Sequence, residues 1–242
     1  MLLFTYICMA KQQRKTITVL TLFPEFIMDY AGFGIVQRAI KNKLLKFEAL
    51  NLRKFGLDRR GTVDDRPYGG GLGMVLRPDV LYKAITSWRK KKPSGRVIML
   101  TPQGKPFKQA AAARLAKYND LLFVSGRYEG FDERARKFVD EEISMGDFVL
   151  MGGELPALAV AESILRLVPG VLGKDGSADA ESFSQSMLEY PQYTKPEVFE
   201  AGGKKLRVPT VLLTGHHANI EKWRAEESLK RTKKRRPDLL SS

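Results

Sequence analysis

The chain has a single cysteine, Cys8, and only two histidines, the adjacent pair His216 and His217. That scarcity excludes a disulfide framework and any zinc site built from four Cys or His ligands, and it suits a reducing, cytoplasmic setting. Long apolar runs are missing as well. The longest near the start, Met1 to Ala10, falls far short of the roughly 20 residues needed to span a bilayer, so no membrane association is expected. Its basic cluster, Lys11, Arg14 and Lys15, follows the apolar stretch instead of preceding it, the reverse of a secretory signal. Residues 1–15 read as a loose N-terminal extension, or as the product of a start placed ahead of Met9.

Acidic residues are in short supply. Against 41 Lys and Arg stand 27 Asp and Glu, a formal net charge of +14 over 242 residues, and the sequence pI is near 9.8. Such an excess points to a polyanionic partner, nucleic acid before membrane surface, although a merely solubilising surface has the same composition. Core-forming residues, by contrast, are plentiful. With 43% hydrophobic residues and 10% aromatics the chain can bury a substantial interior, so its 28% charged content does not signal disorder. The length allows one large domain or two smaller ones.

Short, β-rich apolar runs at Ile17 to Leu22, Phe47 to Leu52, Val97 to Leu100 and Leu121 to Val124 predict buried strands. Helical patterns lie between them at Gly34 to Leu45, Val80 to Lys90 and Phe107 to Tyr118, and a further one follows Pro156 until Pro169-Gly170 ends it. This alternation predicts an α/β fold with a parallel sheet, in which ligands sit in loops beyond the carboxyl ends of the strands. From Gly173 to Ser186 the composition turns small, polar and acidic, as expected of an interdomain linker that stays mobile without a ligand. Beyond it come scattered aromatics, Pro-containing turns and a helical stretch dense in Lys and Arg, Asn219 to Lys234.

The glycine cluster Tyr68 to Met74 lacks the Gly-x-Gly-x-x-Gly spacing of a dinucleotide site and follows Asp64-Asp65-Arg66-Pro67, not a strand. A flexible, turn-rich loop is the simpler reading; a substrate-contacting loop carrying Asp65 and Arg66 is the other. Three further loops each follow a strand: Thr101 to Gly104, Ser125 to Gly130, and Ser144 to Asp147 continuing through Phe148 to Glu154. Their glycines let backbone groups approach a ligand closely, offering donors and acceptors to an adenine without charged side chains.

The motifs Asp64-Asp65-Arg66-Pro67-Tyr68-Gly69-Gly70-Gly71, Gly126-Arg127-Tyr128-Glu129-Gly130, Gly146-Asp147 with Gly152-Gly153-Glu154-Leu155-Pro156, Pro169-Gly170-Val171-Leu172-Gly173, and Gly215-His216-His217 with Trp223-Arg224 closely resemble the bacterial tRNA (guanine-N1)-methyltransferase family, which acts at tRNA position 37. The resemblance runs from about Thr16 onward. It implies a SPOUT-type α/β domain over 16–172 with a C-terminal trefoil knot, a linker over 173–187, a small helical tRNA-binding domain over 188–242, and a homodimer. It also implies S-adenosylmethionine as methyl donor, held largely through backbone groups at Leu100, Pro102, Gly126, Tyr128, Gly130, Ser144, Met145, Gly146, Leu150, Gly152 and Gly153. Magnesium dependence is a further family trait, although no carboxylate cluster in the sequence identifies an ion site; Asp64-Asp65 and Glu141-Glu142 read as salt-bridged or solvated.

Guanine N1 carries a proton, so it becomes nucleophilic only when a base removes it, and the neighbouring oxygen then gathers charge that a cation can stabilise. By the resemblance, the base aligns with Glu181 in Ala180-Glu181-Ser182-Phe183, where the family pattern has aspartate; Asp179 is the fallback. One added methylene keeps the chemistry and moves the carboxylate. Arg166 matches the arginine that supports catalysis, and by position alone it would also suit a helix C-terminus. Glu129 is expected to contact the base or the donor's charged region, or else to pair with Arg127. A sulfonium donor transfers its methyl by in-line displacement, so no nucleophilic Cys or Ser is required. His216 and His217, adjacent and without further Cys or His nearby, are poorly arranged for one metal ion and fall in the tRNA-binding domain. Lys222, Arg224, Lys230, Arg231, Lys233, Lys234, Arg235 and Arg236 are candidate phosphate contacts.

Overall fold

The structure is a computed structural model that describes residues 14–172, 182–183 and 186–240. The N-terminal extension up to residue 13 and most of the expected linker, with Asp179 and Glu181, lie outside the described residues. The chain divides into two compact units, Met1–Gly173 and Lys174–Ser242.

The first unit runs β1 (Lys15–Thr21), α1 (Pro24–Ala31), α2 (Gly34–Lys41), β2 (Leu45–Asn51), β3 (Asp64–Asp65), β4 (Val75–Leu76), α3 (Pro78–Lys91), β5 (Arg96–Pro106), α4 (Gln109–Leu115), β6 (Asp120–Ser125), β7 (Glu141–Ser144) and α5 (Glu154–Leu165). Five strands form one sheet in the order β2-β1-β6-β5-β7, and every pair in it is parallel. The short β3 and β4 pair antiparallel beside it.

Alternation along the strands sorts the core into two layers. Ile98 and Leu100 of β5, with Leu121 and Phe123 of β6, pack against residues of α1, α2, α4 and α5. Their neighbours Val97, Met99, Leu122 and Val124 turn to the other face and meet Val80, Leu81, Ala84, Ile85 and Trp88 of α3. The expected α/β fold with a parallel sheet is what the chain adopts.

Local differences from the sequence expectation have local causes. The helix expected over Gly34 to Leu45 stops at Lys41, because Lys43 takes a left-handed conformation (φ 60°) and the Leu44 amide closes back on the Ala39 carbonyl at 3.0 Å. That C-terminal closure releases Leu45 to open β2, where it is fully buried. The helix expected after Pro156 begins at Glu154; a proline in the first turn costs nothing there, since those amides have no intrahelical partner. The loop expected at Thr101 to Gly104 lies inside β5 as an interruption: Leu100 pairs with Ile143, and after a register shift Lys105 pairs with Ile143 again. A side chain at Gly104 would meet the Ile143 amide nitrogen at 2.5 Å, so only glycine lets the returning chain approach β7 this closely.

The second unit contains the antiparallel pair β8 (Val198–Ala201) and β9 (Lys204–Arg207) and the long helix α6 (His217–Arg235). The sequence does not predict the hairpin, its apolar residues being too few to give a strand signal. The helix buries Ser228 and Thr232. The Ser228 hydroxyl donates to the Leu188 carbonyl at 2.6 Å, and the Leu188 amide donates to Thr232 Oγ1 at 2.9 Å. The ring of Tyr193 lies 6.3 Å from that of Trp223.

Candidate active site

Because β6, β5 and β7 are neighbours in the sheet, the loops at their carboxyl ends converge. They enclose a cleft of about 300 Å³. The segments 100–103 after the core of β5, 126–131 after β6, and 143–146 with 148–153 after β7 form its walls, and Pro156 of α5 closes one side. Every donor-site residue expected from the sequence lines this cleft: Leu100, Pro102, Gly126, Tyr128, Gly130, Ser144, Met145, Gly146, Leu150, Gly152 and Gly153. Glu129 lines it too.

The loops are locked to one another through backbone. The Gly153 amide donates to the Gly126 carbonyl at 2.8 Å. A Cβ at Gly153 would lie 2.7 Å from both the Gly126 nitrogen and the Ser125 Cα, which requires glycine. The 126–130 turn is tight: Tyr128 sits at φ 58° and Gly130 at φ 102°, and the Gly130 amide donates to the Arg127 carbonyl at 3.0 Å. Burial and the Asp64 carboxylate, which shares a hydrogen bond with the phenol, raise the Tyr128 pKa.

Beneath the cleft lies a charged pair that was not expected. Arg127 does not pair with Glu129; its Nε donates to Glu154 Oε2 at 2.9 Å, and its guanidinium stands 4.4 Å over the Phe23 ring. Glu154 is 1% exposed and accepts a second hydrogen bond from Thr21 Oγ1 at 2.8 Å. Sitting in the first turn of α5, its charge also suits the positive end of the helix. Glu129 instead lies against the glycine cluster, its amide donating to the Met74 carbonyl at 2.9 Å and its carboxyl group occupying the space a side chain at Gly73 would need. On the outer wall Arg136 binds Glu142, Gln103 and Glu133.

Arg166 is not brought to the cleft. It caps the carboxyl end of α5, whereas the cleft lies at the amino end, about 18 Å away for a helix of this length. There it lines a separate cavity with Tyr30, Phe33, Gly34, Ile35 and Glu162. The paired acids read as salt-bridged or solvated include clear ion pairs. Asp65 meets Arg77 at 2.7 Å, Glu141 meets Arg114 at 2.6 Å, and Glu142 meets Arg136. Among the described residues no three His, Cys, Asp or Glu side chains gather in a way that could hold a metal ion.

A parallel sheet whose strand-end loops carry these motifs has counterparts among known proteins. A family model described as tRNA (guanine-1)-methyltransferase TrmD matches residues 15–242. The chain belongs to the tRNA (guanine-1)-methyltransferase family. A tRNA (guanine-N(1)-)-methyltransferase from Shouchella clausii is 49% identical over 93% of this chain and 91% of its own length. The Bacillus subtilis protein of that name is likewise 49% identical over 93% and 91%, and the Thermus thermophilus one 47% identical over the same shares. As a member of this methyltransferase family the chain is an enzyme, and the match spans both of its units.

In the second unit, some of the basic residues of α6 are paired. Arg224 pairs with Glu221 at 2.7 Å and stacks 4.8 Å over Tyr190, and Lys230 pairs with Glu227 at 3.2 Å; Arg236, just past the helix, pairs with Asp238 at 2.7 Å. Lys222, Lys233, Lys234 and Arg235 are exposed. No helix among the described residues is long and apolar enough to cross a membrane.

Proposed function

We propose that this methyltransferase transfers a methyl group from S-adenosylmethionine to N1 of guanosine 37 in tRNA, beside the anticodon. The observation that carries the reading is the convergence of all the expected donor-site residues on one cleft in a chain of this family. The cleft suits the donor chemically: Leu100, Ile143, Leu150 and Pro156 offer apolar surface to an adenine, and the glycine-rich turns offer backbone amides and carbonyls to its polar edge. When bound, the sulfonium supplies an activated methyl for in-line displacement. The chain then has to expose the guanine, take its N1 proton and neutralise the charge that gathers on the base.

In this reading Glu181 is the base, with Asp179 as the alternative, and Arg166 stabilises the developing charge. Glu129, at the cleft wall, orients the base or the donor. Since Arg166 stands at the far end of α5 from the cleft of its own chain, we assign its role to the cleft of a partner protomer in a homodimer. Phe33 beside it, 74% exposed, gives that end of the molecule an apolar surface for such a contact. The interruption of β5 and its return to β7 are compatible with a trefoil knot in residues 16–172. Residues 173–187 serve as the linker that orders over the target base, and residues 188–242 as the tRNA-binding domain, with the exposed lysines of α6 on phosphates. The protein is assigned to the cytoplasm. Among the described residues no three His, Cys, Asp or Glu side chains gather to form an all-protein site for magnesium.

Methyl transfer to defined tRNA with mapping of the modified base tests the reading. One methyl on N1 of guanosine 37 is expected, with loss of transfer when adenosine replaces that guanosine. Equal transfer to both tRNAs would assign the chain to another RNA position.

A further inference from the structure

The hairpin β8–β9 stands out in the second unit for what it leaves uncovered. Its register pairs Val198 with Arg207, Phe199 with Leu206, Glu200 with Lys205 and Ala201 with Lys204, and the Val208 amide extends the ladder to the Glu197 carbonyl at 3.0 Å. Gly202 and Gly203, at φ 55° and 73°, form the two-residue turn whose twist matches paired strands. Period-two alternation places Phe199, Ala201, Lys204 and Leu206 on one face, and Val198, Glu200, Lys205 and Arg207 on the other.

Neither face is buried. Phe199 is 55% exposed and Leu206 53%, although they lie directly across from each other, and every residue of β9 is exposed. A two-stranded ribbon gains little stability by itself in water, and an aromatic with an aliphatic partner on an open face is a surface that another molecule would cover. The charge around it selects the partner. Lys204, Lys205 and Arg207 lie on one strand; Lys205 is held by Glu200 at 3.1 Å, while Lys204 flanks the Phe199–Leu206 pair on its own face. An apolar platform edged by cations suits a polyanion carrying flat rings, whereas a protein partner would call for complementary acids and a broader apolar area.

We propose that the β8–β9 hairpin is a second RNA contact, separate from the donor cleft and from α6. An unpaired tRNA base stacks on Phe199 and Leu206, and Lys204, on the same face, engages a flanking phosphate. The inference rests on tRNA being the substrate. Its occupant is single-stranded RNA, because the deep, narrow major groove of an RNA duplex does not admit such a ribbon.

The test uses the full-length protein. Equilibrium binding of defined tRNA is measured against salt concentration for wild type, Phe199→Ala and Lys204→Ala, with S-adenosylmethionine binding measured in parallel. Phe199→Ala is expected to weaken tRNA binding about 5-fold or more. Lys204→Ala should lower the slope of log affinity against log salt by about 0.7, one phosphate's worth on a single strand. Donor affinity and melting temperature should be unchanged, since the hairpin face is uncovered. Wild-type tRNA affinity and salt slope in both variants would overturn the hairpin assignment while leaving the methyltransferase reading in place. A loss of dimer in sedimentation with unaltered RNA binding would overturn it in favour of a protein interface. If the wild type binds no tRNA, the substrate assignment itself fails.

Discussion

Arg127 and Glu154 form a 2.9 Å ion pair directly under the cleft, tying the turn after β6 to the first turn of α5. With the Glu154 side chain 2% exposed and Thr21 of β1 as its third member, the pair links three elements whose ends build the site. Removing one partner of a buried pair typically costs about 3–5 kcal/mol, but the charge that Glu154→Ala leaves behind, Arg127, is 27% exposed. Glu154→Ala is therefore expected to lower the unfolding free energy by about 2 kcal/mol, and Thr21→Val by about 1 kcal/mol. Denaturant titration reads both, and a Glu154→Ala variant as stable as wild type would remove the pair from the framework of the site.

Contact between Gly153 and the 125–126 backbone leaves no room for a side chain. Gly153→Ala should push the two loops apart, weakening S-adenosylmethionine binding about 10-fold or more, the equivalent of about 1.4 kcal/mol. Calorimetry checks this, with circular dichroism to show that the sheet is intact; undiminished donor affinity would mean that the loops are not the donor site.

Glu181→Gln and Arg166→Ala are each expected to depress turnover by about 100-fold or more while donor affinity stays close to wild type. Single-turnover methyl transfer separates the two effects, and near-wild-type turnover in either variant would withdraw its assigned role.

If Arg166 serves the cleft of a partner protomer, mixing Arg166→Ala with the cleft variant Gly153→Ala, at a donor concentration well below the weakened affinity of the Gly153→Ala cleft, should rescue activity. A mixed dimer retains one intact site, so random re-pairing gives roughly a quarter of wild-type activity. No rescue on mixing, with exchange of protomers verified by mass, would place Arg166 in its own chain's chemistry or outside the reaction.

Lys15 is 5% exposed, and its ammonium donates to the Ala116 carbonyl at 2.9 Å and to that of Tyr118 at the end of α4. Burial lowers its pKa to about 8, with Asp120 opposing the shift. The unfolded chain therefore binds more protons at this position between pH 8 and about 10.5, and stability gains with pH across that window. Relative to Lys15→Met, the wild type should gain about 2 kcal/mol between roughly pH 8 and 10. Above about pH 10 Tyr30 works in the opposite sense, its pKa raised by burial and by its hydrogen bond to Glu162, which is why the comparison ends there. Parallel pH slopes for the two proteins would show that Lys15 is not perturbed.

Much of the site is legible in the residues alone. Glycine-rich loops following apolar runs are local signals, and the runs at 17–22, 97–100 and 121–124 form β1, β5 and β6 because β-branched and aliphatic residues in short stretches have few other ways to bury both faces. Arg127 and Glu154 each belong to a recognisable motif, yet their pairing does not follow from it, since residues 27 apart meet only when α5 docks onto the end of β6. The hairpin at 198–207 escapes detection because exposed strands carry no hydrophobic period.

Composition and motif order pointed to the sheet class, to a polyanionic partner and to the residues that line the cleft, all properties that depend on residue type and near neighbours. Tertiary structure decided that β6, β5 and β7 lie side by side, that Glu154 takes Arg127 away from Glu129, and that α5 holds Arg166 at the end opposite its own cleft. Those outcomes depend on which distant segments share the core, and the physical reason is packing: a buried charge takes the partner that the docked helix delivers, and a helix fixes the separation of its two ends whatever its residues are needed for.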